Sequence, residues 1–134
     1  MQLNKSTRYA LYATMEMTSA DGAPVTVARV ASRYDISEAA LAKVFQQLVR
    51  AGLSRGTRGV GGGYRLAKSP SEVTVLDVID IFEPAPAADH CLLDDSGKPC
   101  GDVDGCRLKR LFDEVDVLTR ATFASTTLET LVGR

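Results

Sequence analysis

The chain has 134 residues, 45% of them apolar and 25% charged, a balance that suits one soluble domain with its own core and excludes a disordered segment. No apolar run approaches the roughly 18 residues that cross a bilayer, so no membrane partner is expected. The net charge of −1 conceals a division: residues 1–70 carry +6 (ten Lys or Arg against four acids) and residues 71–134 carry −7 (six against thirteen). Such asymmetry predicts that the front half meets a polyanion while the rear half has another task. Histidine-based catalysis is thinly supplied, because His90 is the only histidine. The start Met1-Gln2-Leu3-Asn4-Lys5 lacks the apolar stretch of a signal peptide, and a cytoplasmic protein is expected.

In chain order, the first predicted helix runs from about Lys5 to Ser19, with Asn4 as N-cap and Thr7, Ala10, Leu11, Thr14, Met15 and Thr18 inward. Asp21-Gly22-Ala23-Pro24 breaks it. Thr26 caps a second, short helix with Val27, Val30, Ala31 and Tyr34 inward, and Ser37 opens a third that runs to about Ala51 and stops at Gly52. The third helix buries Ala40, Leu41, Val44, Phe45 and Leu48 and turns Glu38, Ala39, Ala42, Lys43, Gln46 and Gln47 outward. Two short helices joined by a tight turn, the second with a polar outer face, form a helix-turn-helix pattern.

Leu53–Thr57 and Gly63–Ala67 read as two strands of a hairpin around Arg58-Gly59-Val60-Gly61-Gly62, with Arg55 and Arg65 on its flanks. A hairpin directly after a recognition helix is a wing, and its arginines suit phosphates or a narrow minor groove. The glycine run is no nucleotide-binding P-loop, since neither Gly-Lys-Ser/Thr nor a helix follows. Thr74 then opens a helix with Val75, Val78, Ile79 and Phe82 inward and Asp77 at the capping-box position, broken by Glu83-Pro84-Ala85-Pro86. From about Cys106 to Phe123 a last long stripe, Leu108, Leu111, Phe112, Val115, Leu118 and Thr122, precedes a short terminal helix. The predicted fold is mainly α with a small β-hairpin wing. It divides into a winged helix-turn-helix domain (1–83), a cysteine-containing loop (84–106) and a long helix with its tail (107–134), the helix that the resemblance described below makes a dimerisation helix.

All three cysteines, Cys91, Cys100 and Cys106, fall within that loop, among Gly, Pro and Asp residues that make poor core. A reducing compartment and an odd count argue against disulfide staples. Thiolate ligation is the favoured reading, with thiol redox sensing as the alternative. Eight and then five intervening residues are too open for zinc knuckles. Iron–sulfur clusters accept wider loops, and 4Fe–4S is favoured over 2Fe–2S, with one iron left without a thiolate. His90 is the spare ligand by type, but adjacency to Cys91 makes it awkward.

The order of these parts resembles the bacterial regulators related to IscR, NsrR and RirA over nearly the whole chain. The segments that carry the resemblance begin with Leu3-Asn4-Lys5-Ser6-Thr7-Arg8-Tyr9-Ala10-Leu11 and Ile36-Ser37-Glu38-Ala39-Ala40-Leu41-Ala42-Lys43-Val44-Phe45. Leu48-Val49-Arg50-Ala51-Gly52-Leu53, Arg58-Gly59-Val60-Gly61-Gly62-Gly63-Tyr64-Arg65-Leu66 and Cys106-Arg107-Leu108 complete them. The resemblance implies a homodimeric winged-helix transcription factor on a palindromic duplex operator, with repression the favoured mode. It implies sensing of iron, nitric oxide or redox state through a cluster on Cys91, Cys100 and Cys106. IscR-like members place a ligand histidine where this chain has Lys109, and NsrR-like members an aspartate near Arg8, so the pattern is closer to RirA-like members.

On this reading Ser37, Glu38, Ala39 and Lys43 face the major groove, and Arg58 with Gly59, Gly61, Gly62 and Tyr64 serves the wing. Lys5, Arg8, Arg33 and Arg65 are expected to meet phosphates. Leu108, Leu111, Phe112, Val115, Leu118 and Thr122 form the dimer interface. A cluster-free thiol-switch regulator is the alternative function. A small iron–sulfur carrier has no use for the +6 half, a protein-binding winged helix is separated by salt-dependent DNA affinity, and an enzyme lacks a nucleophile–base pair.

Overall fold

The computed structural model describes residues 2–84, 91–93 and 106–133. The elements are α1 (Lys5–Ser19), α2 (Val27–Tyr34), α3 (Glu38–Arg50), β1 (Ser54–Thr57), β2 (Gly63–Leu66), α4 (Val75–Phe82), α5 (Arg107–Ser125) and α6 (Leu128–Val132). Each begins where a local signal begins it. The Asn4 side chain accepts the Thr7 amide at 2.8 Å, Thr26 that of Arg29 at 3.2 Å, and Ser37 that of Ala40 at 3.4 Å. Thr74 and Asp77 close a reciprocal capping box, the carboxylate compensating in charge for its shorter reach.

The core lies where α1, α2 and α3 meet α4 and α6, on Ala10, Ala13, Met17, Val30, Leu41, Phe45, Leu48, Val78 and Leu128. Helix α1 buries Thr7, Ala10 and Thr14 as its periodicity suggested, but its buried face is turned further toward Ala13. Ala13 and Met17 are buried, while Leu11, Met15 and Thr18 are half-buried. The reason is that α1 is packed on two sides, by α3 and by α4 and α6, and its small Ala10–Ala13 edge sits deepest. Between α1 and α2 the buried Glu16 carboxylate is fully engaged, 3.1 Å from the Arg33 guanidinium and 2.7 Å from the Tyr34 hydroxyl. Burial, followed by that hydrogen bond, raises the Tyr34 pKa above its ordinary value.

Strands β1 and β2 pair antiparallel, with Ser54 opposite Leu66, Arg55 opposite Arg65, Gly56 opposite Tyr64 and Thr57 opposite Gly63. The hairpin is fastened at its base. The Tyr64 ring stacks on Phe45 with centroids 4.6 Å apart, and its backbone exchanges two hydrogen bonds with Val25, of 2.8 and 2.9 Å. Only glycine fits at 63, where φ is +147° and a Cβ would lie 2.7 Å from the Val25 carbonyl oxygen.

Helix α5 has 19 residues, about 28 Å at 1.5 Å per residue. Its C-terminal end is held to α4 by a two-bond Arg120–Asp80 ion pair, both contacts 3.2 Å. Its predicted apolar stripe is bare in the single chain. Leu108, Leu111, Phe112, Val115 and Leu118 are 50–61% exposed.

Candidate nucleic-acid interface

The outer face of α3 is open along its length. Glu38, Ala39, Lys43, Gln46, Gln47 and Arg50 are exposed, and Ala42 is half-buried. Two clefts flank this face. One, of about 470 Å³, lies between α1 and α3 and is lined by Lys5, Tyr9, Lys43, Gln47 and Arg50. The other, of about 460 Å³, lies between α3 and the hairpin and is lined by Gln46, Arg50, Thr57, Arg58 and Tyr64. A convex helix between two cation-lined hollows matches the relief of a groove between two phosphate backbones. Ser37, at the N-terminal end of α3, already accepts the Ala40 amide as its cap, so its side chain sets where the helix begins.

The other predicted contacts divide by position. Lys5 stands beside α3 with its ammonium 5.5 Å from the centre of the Tyr9 ring. Arg8 lies on the other flank of α1, in an apolar groove of about 460 Å³ with Leu11, Tyr12, Met15, Phe123 and Leu131. The Arg33 guanidinium is committed to Glu16 and lies 5.6 Å from the Tyr34 ring centre, although its side chain remains 59% exposed. Arg58, Gly59 and Gly61 are exposed at the wing tip, with Gly62 half-buried. Tyr64 spends its ring on Phe45, and Arg65 faces Arg55. Thr122 is exposed and lines the same groove as Arg8.

Sequence reasoning passed over Arg50, which with Gln46 lines both clefts beside α3 and is the only cation among the described residues to do so. The signal was available, since Lys43, Gln46, Gln47 and Arg50 follow the three-, four- and seven-residue spacing of one helical face.

Cys91 and Cys106 are half-buried free thiols. Cys106 is the N-cap of α5, its sulfur accepting the Lys109 amide at 3.4 Å. Cys100 and His90 lie outside the described residues. Among the described residues no group of three or more His, Cys, Asp or Glu is arranged to hold a metal ion. Lys109 is buried, with its ammonium 2.6 Å from Asp113. No helix among the described residues is long and apolar enough to cross a membrane.

The sequence pattern of Rrf2, described as an iron-dependent transcriptional regulator, matches residues 3–134. The chain belongs to the Rrf2 family. Among Rrf2-like relatives, BadM of Rhodopseudomonas palustris, named as an HTH-type transcriptional regulator, is 48% identical over 83 residues, 62% of this chain and 53% of BadM. The match thus spans about half of BadM's length. Protein aau3 of Rhizobium meliloti is 37% identical over 110 residues, 81% of this chain and 70% of its own. CymR of B. subtilis, the global cysteine regulator, superposes with a TM-score of 0.83 at 27% identity over 99% of this chain and 97% of CymR. IscR of T. potens shares the fold, with a TM-score of 0.79 at 24% identity over 99% of this chain and 87% of IscR. The mostly helical architecture with a two-stranded hairpin is the Rrf2 winged-helix fold, and BadM and CymR are named as regulators rather than enzymes.

Proposed function

We propose that this Rrf2 chain is a homodimeric repressor that binds a palindromic operator in the cytoplasm and releases it in response to iron, nitric oxide or redox state. The observation that carries the reading is the convergence of Lys5, Lys43, Arg50 and Arg58 on the two hollows beside α3. Helix α3 enters the major groove with Glu38, Ala39 and Lys43 toward the bases, Arg58 reaches the adjacent minor groove, and Lys5 and Arg65 hold phosphates. A second copy covers the bare stripe of α5, and the resulting two-fold axis makes the operator a palindrome.

Cys91, Cys100 and Cys106 would hold an iron–sulfur cluster, 4Fe–4S in preference to 2Fe–2S. The described donors suit it in kind: a half-buried sulfur that accepts an amide at the positive end of α5 is placed to carry negative charge. When bound, the cluster supplies redox- and nitric-oxide-sensitive iron. The chain's part is to join the last ligand, Cys106, directly to the helix that forms the dimer. A second reading, a cluster-free thiol switch, draws support from the 27% identity to a cysteine regulator and from a solved oxidized form of Staphylococcus aureus CymR.

Purification without oxygen, followed by iron and sulfide analysis and an absorption spectrum, separates the two. A brown protein with matched iron and sulfide carries the cluster reading; a colourless protein that resists reconstitution leaves the thiol switch. For the DNA-binding half, Arg58→Ala is expected to lower operator affinity by about 1–3 kcal/mol. Unchanged affinity in a titration at fixed salt overturns the wing assignment.

A further inference from the structure

We propose that Glu83 is a positioning residue for DNA binding, which clasps the first turn of α1 and so holds Lys5 at the cleft beside α3. The inference deepens the DNA-binding reading above and rests on it. Lys5 opens α1 and lies between the two residues that Glu83 holds. The Glu83 carboxylate accepts the Asn4 backbone amide at 2.8 Å and the Thr7 hydroxyl at 2.6 Å. The Asn4 side chain in turn donates to the carbonyl of Phe82, the last residue of α4, at 2.8 Å.

The first turn is where a helix frays, since its amides have no acceptor within the helix. Asn4 caps that turn by accepting the Thr7 amide, but a cap fastens a helix end only to itself. Glu83 ties cap and turn together to a second helix. The local sequence aims it there: Pro84 disfavours the helical region for the residue before it, and Glu83 leaves α4 in an extended conformation, with φ −90° and ψ 139°.

What the clasp steadies is a cation. Lys5 is exposed, its ammonium lies 5.5 Å from the centre of the Tyr9 ring one turn on, and it lines the α1–α3 cleft with Lys43, Gln47 and Arg50. Binding must order such a side chain, and a backbone that is already fixed leaves less to order. An acid in this role is informative. A negative charge opposes a polyanionic ligand, yet a carboxylate makes short, charge-assisted bonds that a neutral acceptor makes less well. Charge and position therefore act on binding in opposite directions, which separates them by experiment.

The test uses the full chain and a random-sequence duplex, with affinity followed by fluorescence anisotropy over a salt series. Phosphate contacts carry no sequence information, so no operator is required. Glu83→Ala and Glu83→Gln remove the same negative charge, and only Gln keeps an acceptor at the reach of Glu. By charge alone both variants bind more tightly. By position, Glu83→Ala binds roughly two- to tenfold more weakly, with a shallower plot of log affinity against log salt, and Glu83→Gln keeps most of the wild-type affinity. Lys5→Gln should lower the slope by about 0.9, the value of one phosphate, and Glu83→Ala should add no further loss in that background.

Tighter or unchanged binding by Glu83→Ala overturns the proposal. So does binding weakened by one factor at every salt concentration with the slope intact, the mark of a smaller folded fraction, which assigns Glu83 to stability alone. A loss that persists in Lys5→Gln overturns it as well, because Glu83 then acts through another contact. A wild-type chain that binds no duplex overturns the DNA-binding reading itself.

Discussion

Helices α3 and α5 carry the same kind of apolar stripe and meet opposite fates. In α3, Leu41, Val44, Phe45 and Leu48 are buried by α1, α2 and the hairpin, so that the largest of them, Phe45, is 0% exposed. In α5, Leu108, Leu111, Phe112, Val115 and Leu118 face solvent although their spacing is as regular. Periodicity announces that a face will be covered; it does not say by what. The N-terminal head supplies its own cover, whereas α5 leaves its stripe bare, and on the proposed reading a second copy covers it.

The largest expected effect breaks that second half alone. Replacing Leu111→Asp and Phe112→Asp removes two apolar anchors from each copy, worth about 1.5–3 kcal/mol per buried side chain. Sedimentation equilibrium should then report a monomer, with the helical circular dichroism of the head retained and affinity for a two-fold operator lost. A variant that stays dimeric assigns the contact to another surface.

The contrast between the two helices also explains what was legible in the sequence. Caps were, because Asn4, Thr26, Ser37 and Thr74 bond to amides three residues on, inside one short window. The outer face of α3 was legible from spacing alone as far as Gln47, and Arg50 continues the same face into the last turn. The inner face of α1 was legible in part: Thr7, Ala10 and Thr14 are buried as expected, while packing on two sides adds Ala13, Glu16 and Met17. Arg8, three residues after Lys5 in sequence, lies on the opposite flank of α1 from it. The cysteine segment spoke only through its residue types, which name a class of ligand and leave its geometry open.

Least legible of all was a contact across 76 residues. The Glu83 carboxylate accepts the Thr7 hydroxyl at 2.6 Å and the Asn4 amide at 2.8 Å, while the Asn4 side chain donates to the Phe82 carbonyl at 2.8 Å. Glu83 thereby fastens the start of α1, which carries Lys5, to the end of α4, next in sequence to the cysteine segment. The Thr7 hydroxyl, followed by the Asn4 amide, holds the Glu83 pKa below its ordinary 4.5. A depressed carboxylate contributes stability that is fully present above the unfolded value and is lost as pH falls through the folded one. Urea unfolding should therefore show wild-type stability declining below about pH 4.5 in part through this group. In Glu83→Gln that part of the decline disappears, at a cost on the order of 1 kcal/mol at neutral pH, since the site is only half-buried and solvent screens it.

The smallest expected effect concerns the wing, where base and tip differ as α3 and α5 do. The base is tied down by the Tyr64–Phe45 stack and the Val25 bonds. The tip, closed by a 3.0 Å bond from the Gly62 amide to the Gly59 carbonyl, thrusts Val60 into solvent at 110% exposure. An aliphatic side chain held outward beside Arg58 has no partner among the described residues, and the sugar walls of a minor groove offer an apolar one. Val60→Ser should leave the unfolding midpoint within the range of a surface substitution, about 0.5 kcal/mol. The same change should weaken operator binding by roughly 0.8 kcal/mol, the value of one buried methylene. If binding is unchanged while Arg58→Ala weakens it, the wing enters the groove through its cation alone; if both changes weaken it, tip and cation enter together.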